Sequence, residues 1–127
     1  MAAETAVVRI TGVHAVGIPV ADQQAALDFY AALGFETRRD VPMGEGARWI
    51  EVAPPGGAVS LALEAARPGH AAGAETGIRL TTPDVEGTHA ALRAAGVDTD
   101  DVLRWPGVPA MFAFRDQDGN GLEIVEG

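Results

Sequence analysis

The chain has 127 residues, of which 47% are hydrophobic, and it carries 18 acidic against 9 basic side chains. This length predicts one domain, residues 1–127, with enough apolar content for a modest core. The net negative charge and the lack of a basic stripe argue against a nucleic-acid partner. The absence of cysteine excludes disulfides, thiolate metal sites and cysteine nucleophiles. No apolar run reaches the roughly 18 residues of a membrane span, so we expect no membrane partner and a cytoplasmic location.

The first half reads as strand, helix and three further strands. Asp22 is a good helix N-cap, and the apolar residues after it recur at spacings of three and four until Gly34, which ends a helix of about three turns. Alternation and turn residues predict strands at Val13 to Val20, Phe35 to Val41, Ala47 to Ala53 and Ala58 to Glu64. Residues 7–64 therefore form a first βαβββ module.

The second half repeats this order after a linker at residues 65–75. The pattern predicts strands at Thr76 to Thr82, Val97 to Leu103, Pro109 to Arg115 and Gly121 to Val125, with a helix at Asp84 to Ala95. An offset of 62 residues superimposes Asp84 on Asp22 and Gly96 on Gly34. Residues 76–127 therefore form a second βαβββ module, and the fold class is α+β with two tandem modules.

Two segments resemble a known family. PVAD…FYAALGFE near the start and DQDGNGLEIVE at the end are similar to the vicinal-oxygen-chelate superfamily, which comprises glyoxalase, bleomycin-resistance and extradiol-dioxygenase proteins. The resemblance implies curved antiparallel-rich sheets around a cleft, with the helices outside, and commonly a homodimer. It leaves the function open, because the superfamily includes both enzymes and proteins that only bind drugs.

Metal-using members of that family hold one divalent ion in the cleft. The resemblance places the corresponding ligand positions on Ala15, Leu61, Gly77 and Glu123, and three of these cannot ligate. A cation needs about three or more protein ligands, so we expect no metal and no other cofactor. His14 lies one residue from the first position, and strand alternation turns it toward the helix side unless a bulge near Gly12 rotates it into the cleft.

The inward face of the predicted strands carries mostly small residues, which would leave volume in the cleft. Large or charged side chains border it, and we predict that eight of them contact a ligand: Met43, Trp49, Glu51, Leu61, Arg79, Trp105, Met111 and Glu123. Aromatic faces and thioethers suit an apolar or planar small molecule. Trp49 and Met111 also fit a core or dimer-interface position, and Arg79 fits an ion pair with Glu51 or Glu123.

Two functions remain open on these residues. The first is non-catalytic, resistance-type sequestration of an apolar or aromatic molecule, with an antibiotic as one candidate. The second is a glyoxalase-like lyase or isomerase, or a dioxygenase-type enzyme, which would be metal-dependent if His14 swings into the cleft. In its metal-free form, Glu51 or Glu123 would act as a general base with a pKa raised by an apolar cleft.

Overall fold

The computed structural model describes residues 7–127. Its elements in chain order are β1 (Ala15–Val20), α1 (Gln23–Ala32), β2 (Glu36–Gly44), β3 (Ala47–Ala53), β4 (Ser60–Ala65), β5 (Glu75–Thr82), α2 (Val85–Ala94), β6 (Asp98–Thr99), β7 (Met111–Arg115) and β8 (Gly121–Glu126).

The strands form two four-stranded sheets with equivalent orders, β1-β4-β3-β2 and β5-β8-β7-β6. In each sheet the first and last strands of the module are parallel, while the other neighbours are antiparallel. The predicted α+β fold of two βαβββ modules is therefore confirmed. No helix within residues 7–127 is long and apolar enough to cross a membrane.

Both helices begin where the sequence predicts. The Asp22 carboxylate accepts a hydrogen bond from the Ala25 backbone N–H, and Asp84 accepts one from Gly87 in the same position of the second helix. After α1, Gly34 adopts a φ of 94°, which a glycine tolerates without strain and which turns the chain back toward its sheet. The repeated caps place each helix over its own sheet.

Some predicted strands differ from the observed ones. The strand predicted at Val97 to Leu103 pairs continuously only at Asp98–Thr99, and Leu103 then makes an isolated bridge to Met111. The ladder is interrupted at Asp100 and Asp101, and Asp100 turns its carboxylate to Arg115. In the first module β2 instead runs on to Gly44, so Met43 belongs to a strand rather than to a turn.

The 62-residue offset holds from β1 to β3 but fails at the last strand. Glu51 pairs with Ala62 in the first sheet, whereas Ala113, which corresponds to Glu51, pairs with Glu123 in the second. The connection between the last two strands is therefore one residue shorter in the second module. The structural equivalent of Glu123 is Ala62 and not Leu61.

The two modules share one apolar core and a buried polar contact. Helix-side residues of both sheets join a single cluster that includes Ile18, Leu63, Phe112 and Phe114. Across it, the Tyr30 hydroxyl donates to the Asp116 carboxylate at 2.9 Å. Asn120, also buried, donates to the Pro19 carbonyl at 2.9 Å and to Asp116. These bonds fix the second module against the end of β1 and against α1.

Burial raises the pKa of Tyr30 well above its ordinary value, and the neighbouring Asp116 charge raises it further. Tyr30 is the only tyrosine, and the chain contains no lysine and no cysteine. Because the folded pKa of Tyr30 is raised, its contribution to the free energy of unfolding is complete below the unfolded pKa of about 10. The contribution declines as the pH rises above that value, since only the unfolded chain then releases the tyrosine proton.

We predict that the free energy of unfolding falls above pH ~10 by up to about 1.4 kcal/mol per pH unit, and that Tyr30→Phe removes this slope. At pH 7 the same variant should lose about 1–3 kcal/mol, because Asp116 keeps a buried acceptor without its hydroxyl partner. Urea titrations between pH 7 and 11.5 measure both effects. An alkaline slope that persists in Tyr30→Phe would contradict the assignment.

Candidate functional site

The first module presents a cluster of polar and aromatic side chains on the face of its sheet opposite α1. At its centre is Glu51, of which only 2% is exposed. One carboxylate oxygen, Oε2, accepts hydrogen bonds from the Trp49 indole N–H at 2.6 Å and from the His14 ring Nε2 at 3.0 Å. The Arg39 Nε lies 3.8 Å from the same oxygen. Sequence analysis predicted Trp49 and Glu51 on this face, but it did not predict the cluster.

The Glu51 carboxyl has a pKa below its usual range. Burial by itself raises the pKa, but hydrogen bonds from Trp49, His14 and Ser60 together outweigh that effect. The raised pKa expected for Glu51 was therefore wrong, because the face around it is polar. The lowered pKa stabilises the fold above the ordinary glutamate range, and this contribution is lost as the pH falls through the folded pKa.

Strand alternation predicted His14 on the helix side of the sheet. The structure places it on the opposite face. Strand β1 begins only at Ala15, so His14 precedes the regular ladder and alternation does not fix its direction. Its carbonyl oxygen accepts from the Ser60 N–H, while its ring turns to Glu51 and remains 69% exposed. The side chain therefore belongs to the cleft face, without any bulge in β1.

Leu61 was predicted on the cleft face and lies on the other one. It pairs with Val16 and with Val52, whose side chains point into the helix-side core, and only 3% of it is exposed. The error follows from the one-residue difference between the modules, because a shift of one residue moves a strand side chain to the opposite face. Ala62 occupies the cleft-face position instead.

Part of the volume expected above the small residues is filled. A Cβ atom on Gly17 would collide with the Glu64 carboxylate, which receives a hydrogen bond from His70 at 3.1 Å. Gly121 is covered in the same way by Glu75. At these two positions the missing side chain makes room for a carboxylate. No local sequence pattern signals these contacts, because Glu64 lies near the end of β4, His70 between β4 and β5, and Glu75 at the start of β5.

The second module presents the remaining predicted residues. Arg79 contacts Glu123 at 3.1 Å, which is one of the two ion pairs expected for it. Arg79, Glu123 and Ala113 share one face through their strand register. Met111 is half-buried at the start of β7, while Trp105, in the loop before that strand, is 67% exposed.

The single chain distributes these residues over separate cavities. Met43 and Trp49 line a cavity of about 200 Å³ over the start of β3 and the end of β4. Leu61 and Arg79 border a second cavity of about 420 Å³ beside the free edge of β5. Met111 and Glu123 border a third of about 200 Å³. Glu51 and Trp105 line none of the three.

The residues present do not fit the divalent ion that the family resemblance implies. With the corrected register, the ligand positions are Ala15, Ala62, Gly77 and Glu123, and three of these side chains have no donor atom. Among residues 7–127 there is no group of three or more His, Asp or Glu side chains placed to hold a metal.

Comparison with known proteins identifies the family. The model of the Glyoxalase/Bleomycin resistance protein/Dioxygenase superfamily matches residues 12–124. The chain belongs to this superfamily. The resemblance carried by the helix and the closing strand is thereby confirmed.

Three relatives illustrate the similarity. The crystal structure of TnmS3, described as an antibiotic binding protein from Streptomyces sp. CB03234, is 34% identical with a TM-score of 0.84, and the match covers 94% of this chain and 98% of that one. A superfamily member from Sphaerobacter thermophilus is 35% identical with a TM-score of 0.87, covering 93% and 98%. The uncharacterized protein YetH of Bacillus subtilis is 31% identical, covering 92% of this chain and 99% of YetH.

We predict that Glu51 determines the orientation of Trp49. In a Trp105→Phe background Trp49 is the only tryptophan, and Glu51→Ala removes the acceptor of its indole N–H. The emission should shift to longer wavelength, its anisotropy should fall, and the free energy of unfolding should drop by about 1.5–3 kcal/mol.

Glu75→Ala is the matched control, since Glu75 is a carboxylate that covers Gly121 and does not line the cavity beside Trp49. It should leave the emission unchanged. Equal anisotropy in the Glu51→Ala variant and its parent would contradict the role of Glu51.

Proposed function

We propose that this protein sequesters an apolar or aromatic small molecule of the antibiotic type and releases it unchanged. The observation that carries the proposal is the Trp49 indole, which is 36% exposed and has its N–H tied to Glu51. Met43 lies beside it on the wall of the same cavity and is also exposed. A fixed aromatic face next to a polarizable thioether favours stacking of a planar ligand.

The comparison with TnmS3 supports the ligand class. That protein is described as antibiotic binding, and its likeness to this chain extends over nearly the full length of both. Binding without conversion needs a surface that holds the ligand, and Trp49, fixed by Glu51, lines such a cavity together with Met43.

We further propose that the complete site forms in a homodimer, with the first module of one copy facing the second module of the other. Ligand pockets usually measure about 300–1,000 Å³, and the cavity beside Trp49 is smaller. Both modules expose large apolar side chains, at Val41 and Met43 on β2 in the first and at Leu103, Trp105 and Val108 before β7 in the second. Apposing them would bury this surface and enlarge the cavity.

An enzyme that uses Glu51 as its base has less support. Proton abstraction near neutral pH is favoured by a base whose pKa lies near the working pH, whereas the hydrogen bonds around Glu51 lower its pKa. Glu123 is paired with Arg79. A turnover that Glu123→Gln abolished and Trp105→Ala left intact would favour the enzyme.

We expect 7-methoxycoumarin, a planar probe, to quench tryptophan fluorescence in a saturable manner and to be recovered chemically unchanged. Trp49→Ala should weaken binding by about tenfold or more, since an aromatic stacking pair contributes roughly 0.5–1.5 kcal/mol beyond its buried area. His89→Gln, a change on α2, is the control and should bind as the parent does. Parental affinity in both Trp49→Ala and Trp105→Ala would refute stacking.

Mixing two defective variants tests the shared site. When Trp49→Ala and Trp105→Ala chains are unfolded and refolded together, each mixed dimer should contain one site with both tryptophans, so about a quarter of all sites should regain parental affinity. The control is a mixture of the two variants after each has been refolded separately, at the same total concentration. A mixture that binds only as the average of its components would show that each site lies within one chain.

A further inference from the structure

The contact with Glu51 identifies which ring nitrogen of His14 carries a proton. Its Nε2 lies 3.0 Å from a Glu51 oxygen that also accepts the Trp49 N–H. An ionised carboxylate only accepts hydrogen bonds, so Nε2 must be the protonated nitrogen of the ring. In the neutral imidazole, Nδ1 is then an acceptor, and in the charged form it is a donor.

The second ring nitrogen is free to meet a ligand. Within residues 7–127, Nδ1 has no hydrogen-bond partner, and the side chain is 69% exposed. Because His14 and Trp49 bond the same oxygen, the imidazole stands beside the indole. A ring that stacks on Trp49 and extends from the cavity past the indole N–H would therefore bring its edge substituents within reach of His14.

Two charged side chains border His14. The Glu51 carboxylate from β3 accepts the hydrogen bond of its Nε2, 3.0 Å away. Arg39 from β2, whose side chain is 60% exposed near the same oxygen, would attract an anionic ligand oxygen. These are the charged groups that the described part of the chain places at this oxygen.

Resting on the proposed function, we propose that His14 selects planar aromatic ligands that carry an acidic hydroxyl of the phenol class. The ligand O–H bond breaks, its proton moves to Nδ1, and its electron pair stays on the ligand oxygen. The products are a phenolate and an imidazolium held between ligand and Glu51. No other reactant is needed.

A matched pair of probes tests this selection, namely 7-hydroxycoumarin and 7-methoxycoumarin, which differ by the acidic hydroxyl. The full-length protein should bind the hydroxy probe about 10–100-fold more tightly, as expected for a charge-assisted hydrogen bond of about 1.5–3 kcal/mol. The absorbance of the bound hydroxy probe should report phenolate at a pH where the free probe is still protonated.

Two variants distinguish proton transfer to His14 from a simple hydrogen bond between His14 and the ligand. His14→Ala should bring the affinity ratio close to one and leave methoxy binding unchanged. His14→Gln keeps an acceptor that cannot take a proton, so it should retain part of the ratio and lose the phenolate absorbance. His89→Gln should behave as the parent.

Each result decides between the proposals. Equal parental affinity for the two probes, or phenolate absorbance that persists in His14→Gln or His14→Ala, would overturn the role of His14 while the binding function stands. Failure of both probes to bind would overturn the binding function as well.

Discussion

The cleft face of the first module depends on one buried carboxylate. Glu51 is withdrawn from water, and a charge in that position is tolerated only when donors surround it. The indole of Trp49 and the imidazole of His14 donate to a single oxygen of this carboxylate. The donors that stabilise the charge are thereby fixed in place, and they are also the groups that a ligand would meet.

The contact between the two modules also includes buried polar side chains. Tyr30, Asp116 and Asn120 join α1, the turn before β8 and the end of β1 across a shared apolar core. Because strand pairing among the described residues stays within each module, this junction and the core set how the two sheets are placed. Both cleft faces keep exposed apolar side chains, which is the surface that a second copy would cover in the proposed dimer.

The sequence predicted the fold because its signals are local. Asp22 and Asp84 cap helices through their own backbone neighbours, and alternation in β3 correctly set Trp49 and Glu51 against Ile50 and Val52. In a regularly paired strand, side chains alternate strictly between the two faces of the sheet, so the sequence pattern predicts the face of each residue.

The site was predicted only in part, because its remaining features arise from long-range pairing. A connection one residue shorter in the second module moved Leu61 to the core. His14 lies just outside the ladder, so alternation did not apply to it. Glu64 fills the space above Gly17 from a different strand, a contact that no local pattern encodes. For the same reason the cleft is more polar than the composition of its strands indicated.

The central claim is that this cleft holds a planar organic molecule between fixed side chains. The most direct measurement is a high-resolution electron-density map of the cleft in protein isolated from its native host. Our account predicts flat organic density against Trp49, with the His14–Glu51 contact intact. Density for a divalent cation coordinated by His14 and Glu123 would contradict it.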